Sequence, residues 1–166
     1  MVVLTPTTDG ADPSSIRITE VTTTGFSYII VEPPGEDGGH ANMGTVSYIA
    51  MKANTRVDIG GTTCESGTHS TMTTIGGAGY GGGYDTVAFA GGSLGSTPAV
   101  LTQIQTDNNG GTSTSVATVP WMTTATRGGS ISPTQFDVAL ERAETAGAGT
   151  PTVAETIGYI AITQGA

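Results

Sequence analysis

Side chains that could bind a metal or carry out catalysis occur at few places in this chain of 166 residues. The stretch from Glu36 to His40 holds two acids and an imidazole, which could bind Ca²⁺ or another metal, but its glycines are typical of a solvated hairpin tip. Cys64 and His69 form a single Cys-x4-His pair, two ligands short of a zinc site. The segment GGAGYGGGY (76–84) is not a phosphate loop, because no lysine follows it.

Nucleophilic catalysis has little support in the sequence. Serine, histidine and aspartate all occur, but no G-x-S-x-G elbow does, and His40 and His69 both lie in turn-rich segments. Cys64 is the single cysteine, so an intrachain disulfide is impossible and a small buried side chain or a weakly reactive thiol is expected. We therefore predict a protein that is not an enzyme, with no catalytic residue, no metal site and no cofactor.

The charge balance is acidic, with 14 acids against 5 bases and a net charge of −9. This balance argues against nucleic acid and against an anionic membrane surface, which both require clustered lysine and arginine. No segment approaches the roughly 20 apolar residues of a membrane span. The first residues carry no secretory pattern, so we expect either a leader that has been removed or release from a cell, as for virion proteins.

Glycine and threonine are abundant, and the hydrophobic fraction is only 36%. This composition favours short strands with glycine turns over helices, around a thin core. A thin core suggests that neighbouring subunits bury part of the surface.

The elements that would position any site are arranged as an internal repeat. The first copy reads VTTTGFSYIIVEPPGEDGGHANMGTVSYIAM (21–51), and the second reads ISPTQFDVALERAETAGAGTPTVAETIGYIAI (131–162). When Phe26 is aligned with Phe136, Arg17 meets Arg127, and YIA (48–50) meets YIA (159–161) after one inserted residue. VVLT (2–5) likewise resembles AVLT (99–102). Such a repeat is the signature of a duplicated structural unit.

Both copies consist mainly of strand patterns. Alternating apolar and polar residues, bounded by glycine and proline, predict strands near 15–21, 26–32, 46–52, 56–59, 86–90, 99–106, 116–124, 136–142 and 156–162. The one helix candidate, 138–146, aligns with the strand SYIIVE of the first copy, so we predict a strand there. The stretch 60–84 is predicted to be a polar, glycine-rich loop.

Three segments of the second copy, TPAVLTQIQT (97–106), SISPTQF (130–136) and ETIGYIAI (155–162), resemble the H-type lectin domain family. The resemblance implies an all-β protein, an antiparallel β-sandwich built from two H-type-lectin-like units. The second unit (56–166) contains the whole pattern, and the first unit (1–55) is incomplete. An alternative is one fused sandwich in which the two copies share strands. The family typically forms trimers or higher oligomers, with sugars in grooves between subunits.

The resemblance also implies candidate ligand-binding residues. A sugar-contacting arginine stands nine residues before the phenylalanine of the family motif, and Arg17 and Arg127 have that spacing. They could instead pair with acids such as Glu20 or Glu141. The family's Trp-His pair is replaced by proline at 33–34 and by Ala-Glu at 143–144, so the expected stacking face is missing. Trp121 could stack on a sugar or lie in the core or a subunit interface.

The first unit begins at VVLT, without counterparts of the leading strands of the second unit. We therefore predict an open sheet edge at Val2, Val3 and Leu4. A strand of a neighbouring subunit could fill this edge, and a head-to-tail contact would propagate into a ring or filament.

These features predict a structural or adhesive surface subunit that self-associates. We expect it on a virion surface, as a phage tail, fibre or head-decoration component, or in an extracellular fibre. The alternative is a soluble lectin that binds surface glycans.

Overall fold

The structure, a computed structural model, describes residues 1–5, 15–31, 45–76, 82–109, 122–142 and 150–164. The predicted all-β class is confirmed, and the described part of the helix candidate at 138–146 is strand. The strands of these ranges are β1 (Val2–Thr5), β2 (Ser15–Val21), β3 (Phe26–Val31), β4 (Ser47–Ala50), β5 (Thr55–Ile59), β6 (Thr62–Thr71), β7 (Thr74–Gly76), β8 (Asp85–Ala88), β9 (Ala99–Ile104), β10 (Met122–Thr126), β11 (Gln135–Arg142) and β12 (Glu155–Ile162).

The second unit is a sandwich of two sheets. One is antiparallel, with the strand order β5-β6-β12-β9. In the other, β11 pairs with β10 and β8 antiparallel and with β7 parallel. Alternate residues of a strand point to opposite faces, so one face of each sheet supplies the core. The buried core includes Phe89, Ile104, Phe136, Val138, Leu140, Ile157 and Tyr159.

The predicted loop at 60–84 is wrong over much of its length, because β6 and β7 lie inside it. Gly60 and Gly61 have φ angles of +58° and +85°, and Ile59 pairs directly with Thr62. Two consecutive residues with positive φ make the tight hairpin turn that fits the twist of the flanking strands. The Gly-Gly dipeptide between TRVDI and TTCES was the signal for this hairpin.

The first unit forms two small ribbons, β1–β4 and β2–β3. Val2, Leu4 and Ile18 form a small buried cluster between them. Hydrogen bonds attach these ribbons to the second unit: Ser66 Oγ donates to the Lys52 carbonyl over 2.6 Å. In addition, Gln103 Nε2 donates to the Ile16 carbonyl over 2.8 Å. The β5 strand begins one residue before the predicted unit boundary.

The turn before the repeated phenylalanine has the same hydrogen bonds in both copies. Thr22 Oγ1 accepts the N–H groups of Thr24 and Gly25 over 3.3 and 3.0 Å. At the aligned positions, Ser132 Oγ accepts the N–H groups of Thr134 and Gln135 over 3.3 and 3.2 Å. A hydroxyl that accepts hydrogen bonds within its own turn depends only on neighbouring residues. The same turn therefore forms wherever that local sequence recurs.

The aromatic pair that follows is also repeated. Phe26 and Tyr48 have ring centroids 5.1 Å apart at 66°. Phe136 and Tyr159 have centroids 5.1 Å apart at 67°. Edge-to-face geometry at this distance is favoured by the ring quadrupoles. The VVLT and AVLT strands each pair antiparallel with the YIA strand of their own copy, in registers that differ by one residue.

A substitution at Gly67 tests the packing of the second unit. A Cβ atom at this position would overlap the buried Tyr159 ring, so we expect Gly67→Ala to lower the free energy of unfolding by about 1–3 kcal/mol. Gly128→Ala is the matched control, because nothing lies near its added Cβ, and it should change stability by less than about 0.5 kcal/mol. Denaturant unfolding measures both, and equal stabilities would contradict this account of the packing.

Candidate functional site

Arg17 is a structural residue in this fold, in contrast to its predicted role as a sugar contact. Its side chain is 1% exposed, and its Nη2 lies 2.5 Å from Oε1 of Glu155, which is fully buried. Its Nε lies 3.0 Å from Oδ1 of Asp107. A buried guanidinium must be paired because desolvation of an isolated charge is costly. The acids that it contacts are thus Glu155 and Asp107, where the sequence suggested Glu20 or Glu141.

Glu155 in turn organises the segment after β9. Its carboxylate accepts the hydroxyl of Thr106 over 2.6 Å and the backbone N–H groups of Asn108 and Asn109 over 3.2 and 3.0 Å. Several donors on one buried carboxylate satisfy its hydrogen-bonding capacity. The ion pair therefore ties β2 of the first unit to β12 and to the 106–109 segment of the second unit.

Arg127 occupies the aligned position but lies in a different environment. It is exposed, and its guanidinium carbon lies 5.9 Å from the ring centroid of Tyr84, within cation–π range. Its role as a ligand contact stays a prediction. Trp121, the prolines at 33–34 and the Ala-Glu at 143–144 lie outside the described residues.

The edge predicted at Val2, Val3 and Leu4 is paired on one side, and its other side is covered at Val2. On one side, β1 pairs with β4 over its whole length. On the other, the Gln105 side chain accepts the N–H of Val2 over 2.8 Å and donates to the Val2 carbonyl over 2.7 Å. A carboxamide has one acceptor and a pair of donors, so Gln105 satisfies Val2 as a neighbouring strand would. The prediction of an open edge is therefore wrong at Val2, whereas at Leu4, whose N–H and C=O groups also face away from β4, it stays a prediction.

An open edge also lies on β4. Met1 and Met51 exchange two backbone hydrogen bonds. Because hydrogen-bonded and non-hydrogen-bonded residue pairs alternate along an antiparallel ladder, this pair fixes which residues of β4 bond to β1. The N–H and C=O groups of Tyr48 and Ala50 consequently point away from β1. No strand within the described ranges pairs with that side of β4. In the second unit, Tyr159 and Ala161 occupy the aligned positions and pair with β6.

The aligned tyrosines differ sharply in exposure as a result. Tyr159 is 3% exposed beneath β6, and its hydroxyl lies 3.3 Å from Glu65. Burial, together with the Glu65 charge, raises the pKa of Tyr159 to about 12. Tyr48 is 61% exposed. The surface that β6 covers in the second unit is therefore exposed in the first unit.

A groove of about 670 Å³ lies beside Tyr48. This hairpin groove is lined by the β2–β3 turn, by the aromatic pair and by the residues after β4, including Thr22, Thr23, Thr24, Phe26, Tyr48 and Lys52. Its volume is within the range of about 300–1,000 Å³ that is usual for binding sites. The lining includes Lys52 and Met1, which carries the amino terminus, but no acid, so the groove is suited to uncharged or acidic groups.

A second groove, of about 460 Å³, runs along the other side of Tyr48 to Ile49 and Leu101. All three of these side chains are exposed and apolar. Contiguous apolar surface on a protein marks an interaction site more often than isolated apolar residues do.

A polar cluster lies around Asp85. His69 Nε2 is 2.8 Å from Asp85 Oδ2, and the hydroxyls of Thr71 and Thr73 donate to the same carboxylate over 2.5 and 2.7 Å. Desolvation raises the pKa of Asp85, but the hydrogen bonds from Thr71, Thr73 and His69 outweigh it and leave the pKa below its usual value. The cluster joins β6 to β8.

The Cys64–His69 pair is separated by the geometry of β6. Residues five apart on a strand point to opposite faces, so the two side chains cannot share a metal ion. Within the described ranges no three His, Cys, Asp or Glu side chains are grouped as metal ligands. The Glu36–His40 candidate lies outside those ranges. No helix of the described part of the chain is long and apolar enough to cross a membrane.

No family model, curated protein or solved structure matches this chain.

The two arginines at aligned positions provide a matched pair of substitutions. Arg17→Met leaves the buried Glu155 without its partner, and we expect the free energy of unfolding to fall by about 3–5 kcal/mol. Arg127→Met removes an exposed side chain and should cost less than about 0.5–1 kcal/mol. Chemical denaturation followed by circular dichroism measures both values. A similar cost at the two positions would show that the Arg17 ion pair is not essential to the fold.

Proposed function

We propose that this protein is a non-enzymatic structural or adhesive subunit that self-associates through the edge of β4. The observation that carries the proposal is the uncovered position of Tyr48 and Ala50, where the aligned residues of β12 pair with β6. Exposed strand edges template pairing with other chains. A virion surface or an extracellular fibre is the setting in which such a subunit would function.

The sequence of β4 is suited to pairing with a second copy of itself. In an antiparallel two-fold arrangement centred on Ile49, Tyr48 of one copy lies opposite Ala50 of the other. The second unit has the same combination, because Tyr159 pairs with the small residue Gly67. The two β1–β4 ribbons would then form one continuous four-stranded sheet, with an isologous interface.

Charge also favours this face for contact between copies. The chain carries a net charge of −9, so two copies repel each other over most of their surfaces. Residues 45–55 include no acid and one base, Lys52. In the two-fold arrangement the two Lys52 side chains lie at opposite ends of the paired strands, so contact there avoids like-charge repulsion.

The Ala50→Pro substitution tests the pairing. Proline removes the outward N–H of residue 50 and leaves the β1–β4 hydrogen bonds in place, since those involve Ile49 and Met51. We expect association to weaken by roughly tenfold to a hundredfold, because the dimer loses two backbone hydrogen bonds of about 1 kcal/mol each. Sedimentation velocity over a dilution series measures the change. Ala50→Ser, which keeps the N–H, is the control and should associate like the wild type.

A charge exchange at Ile49 tests the register. In the two-fold arrangement Ile49 meets itself, so Ile49→Lys and Ile49→Glu should each remain monomeric, whereas an equimolar mixture should form a heterodimer. A wild-type protein that stays monomeric at every concentration would refute self-association. Dimers that persist in both single variants would refute the β4 interface.

The second candidate function is glycan binding, and the exposure of Arg127 beside the Tyr84 ring favours it. A cation next to an aromatic ring offers hydrogen-bond donors and an apolar face to a saccharide. This function predicts binding on a glycan array that Arg127→Ala abolishes and that the neighbouring Gly128→Ala keeps. A wild-type protein that binds no saccharide would eliminate it.

A further inference from the structure

The second unit contains a segment with no counterpart in the described part of the first. β8 pairs antiparallel with β11, and the chain then passes over the turn that precedes Phe136. The N–H of Phe89 donates to the Thr134 carbonyl over 3.0 Å, and the N–H of Leu94 donates to the Pro133 carbonyl over 2.8 Å. Both side chains are buried in the core.

Phe89 completes a cluster of three rings. Its centroid lies 5.6 Å from that of Phe136 and 6.0 Å from that of Tyr159. Each ring contacts the other two, so the Phe136–Tyr159 pair is covered by a third aromatic side chain.

The hairpin groove of the first unit aligns with the region of the second unit that residues 85–94 cover. Thr23 and Thr24 align with Pro133 and Thr134, whose carbonyls accept the two N–H groups, and both line the groove. Phe26 and Tyr48 form the same edge-to-face pair and line it as well. The Tyr28 ring lies 6.2 Å from Phe26, but within the described residues no third ring contacts both Phe26 and Tyr48.

The edge of β3, which follows the turn that lines the groove, also lacks a pairing strand within the described ranges. β11 pairs with β10 on one side and with β8 on the other. Its counterpart β3 pairs with β2, and no other strand of the described ranges pairs with it. The first unit therefore offers an acceptor edge, two backbone carbonyls and an aromatic pair in the arrangement that residues 85–94 occupy in the second unit.

We propose that the hairpin groove binds an extended segment of a partner chain with the chemistry of residues 85–94. The segment adds a strand to β3, inserts an aromatic side chain against Phe26 and Tyr48, and donates two backbone N–H groups to the carbonyls of Thr24 and Thr23. An apolar residue five positions after the aromatic one occupies the place of Leu94. This is strand addition, in which main-chain hydrogen bonds give affinity and side-chain pockets give specificity. The added strand pairs with β3, whereas self-association adds a strand to β4, and the two contacts share the Tyr48 side chain.

The chain itself supplies the probe for a direct test. A fluorescein-labelled peptide DTVAFAGGSLG, the sequence of residues 85–95, is titrated with the full-length protein, and binding is followed by anisotropy. We expect saturable binding. The same peptide with Phe89→Ala should bind about tenfold more weakly or worse, because a buried aromatic anchor carries much of the energy of such contacts.

Protein variants locate the peptide. Tyr48→Ala removes half of the aromatic pair at an exposed position, so the fold should survive and peptide binding should fall by about tenfold. Ile49→Glu, at a residue that does not line the hairpin groove, should leave peptide binding unchanged, which separates this proposal from association through β4. Absence of binding would overturn the proposal. Equal affinity of the two peptides, or binding that Tyr48→Ala leaves unchanged, would also overturn it.

Discussion

The ion pair between Arg17 and Glu155 holds the two halves of this protein together. Both side chains are buried, and Glu155 also accepts hydrogen bonds from the segment after β9. Among the described residues, the first unit has a core of three buried aliphatic side chains, Val2, Leu4 and Ile18, against which only partly buried hydrophobic residues pack. A core of that size cannot offset the conformational entropy of its strands. The first unit is therefore ordered because it is attached to the second.

Attachment explains how one repeated pattern produces two different surfaces. The capped turn needs only nearby residues, and the Phe–Tyr pair packs between two sheets in each copy with closely similar geometry. The strands that cover these shared elements differ between the two units. In the second unit β6 and the segment after β8 bury Tyr159, whereas Tyr48 remains at the surface. The proposed self-association and the proposed binding of an extended segment both follow from this difference. The strand or segment that fills a site in the second unit indicates what the open site in the first unit can bind.

Strand positions were predictable because alternation of apolar and polar residues reports directly on a half-buried strand. β6 was missed because its sequence, TTCESGTHST, has no apolar alternation. Its inner face carries Glu65, Gly67, His69 and Thr71, which are accommodated by hydrogen bonds and by the Tyr159 ring rather than by aliphatic packing. A strand with such a face is recognisable only through its partners, although the Gly-Gly turn before it was a usable local signal.

The sequence by itself determined the elements that depend on short-range chemistry, namely the duplicated strands and the hydroxyl-capped turns. The tertiary structure alone decided which strand edges remain open and whether an arginine faces solvent. Val2 is covered by Gln105, which is 103 residues away, and Arg17 is neutralised by Glu155, which is 138 residues away. The physical reason is that alternation assigns a side chain to a face of its strand, but burial and charge pairing depend on whatever other segment packs against that face.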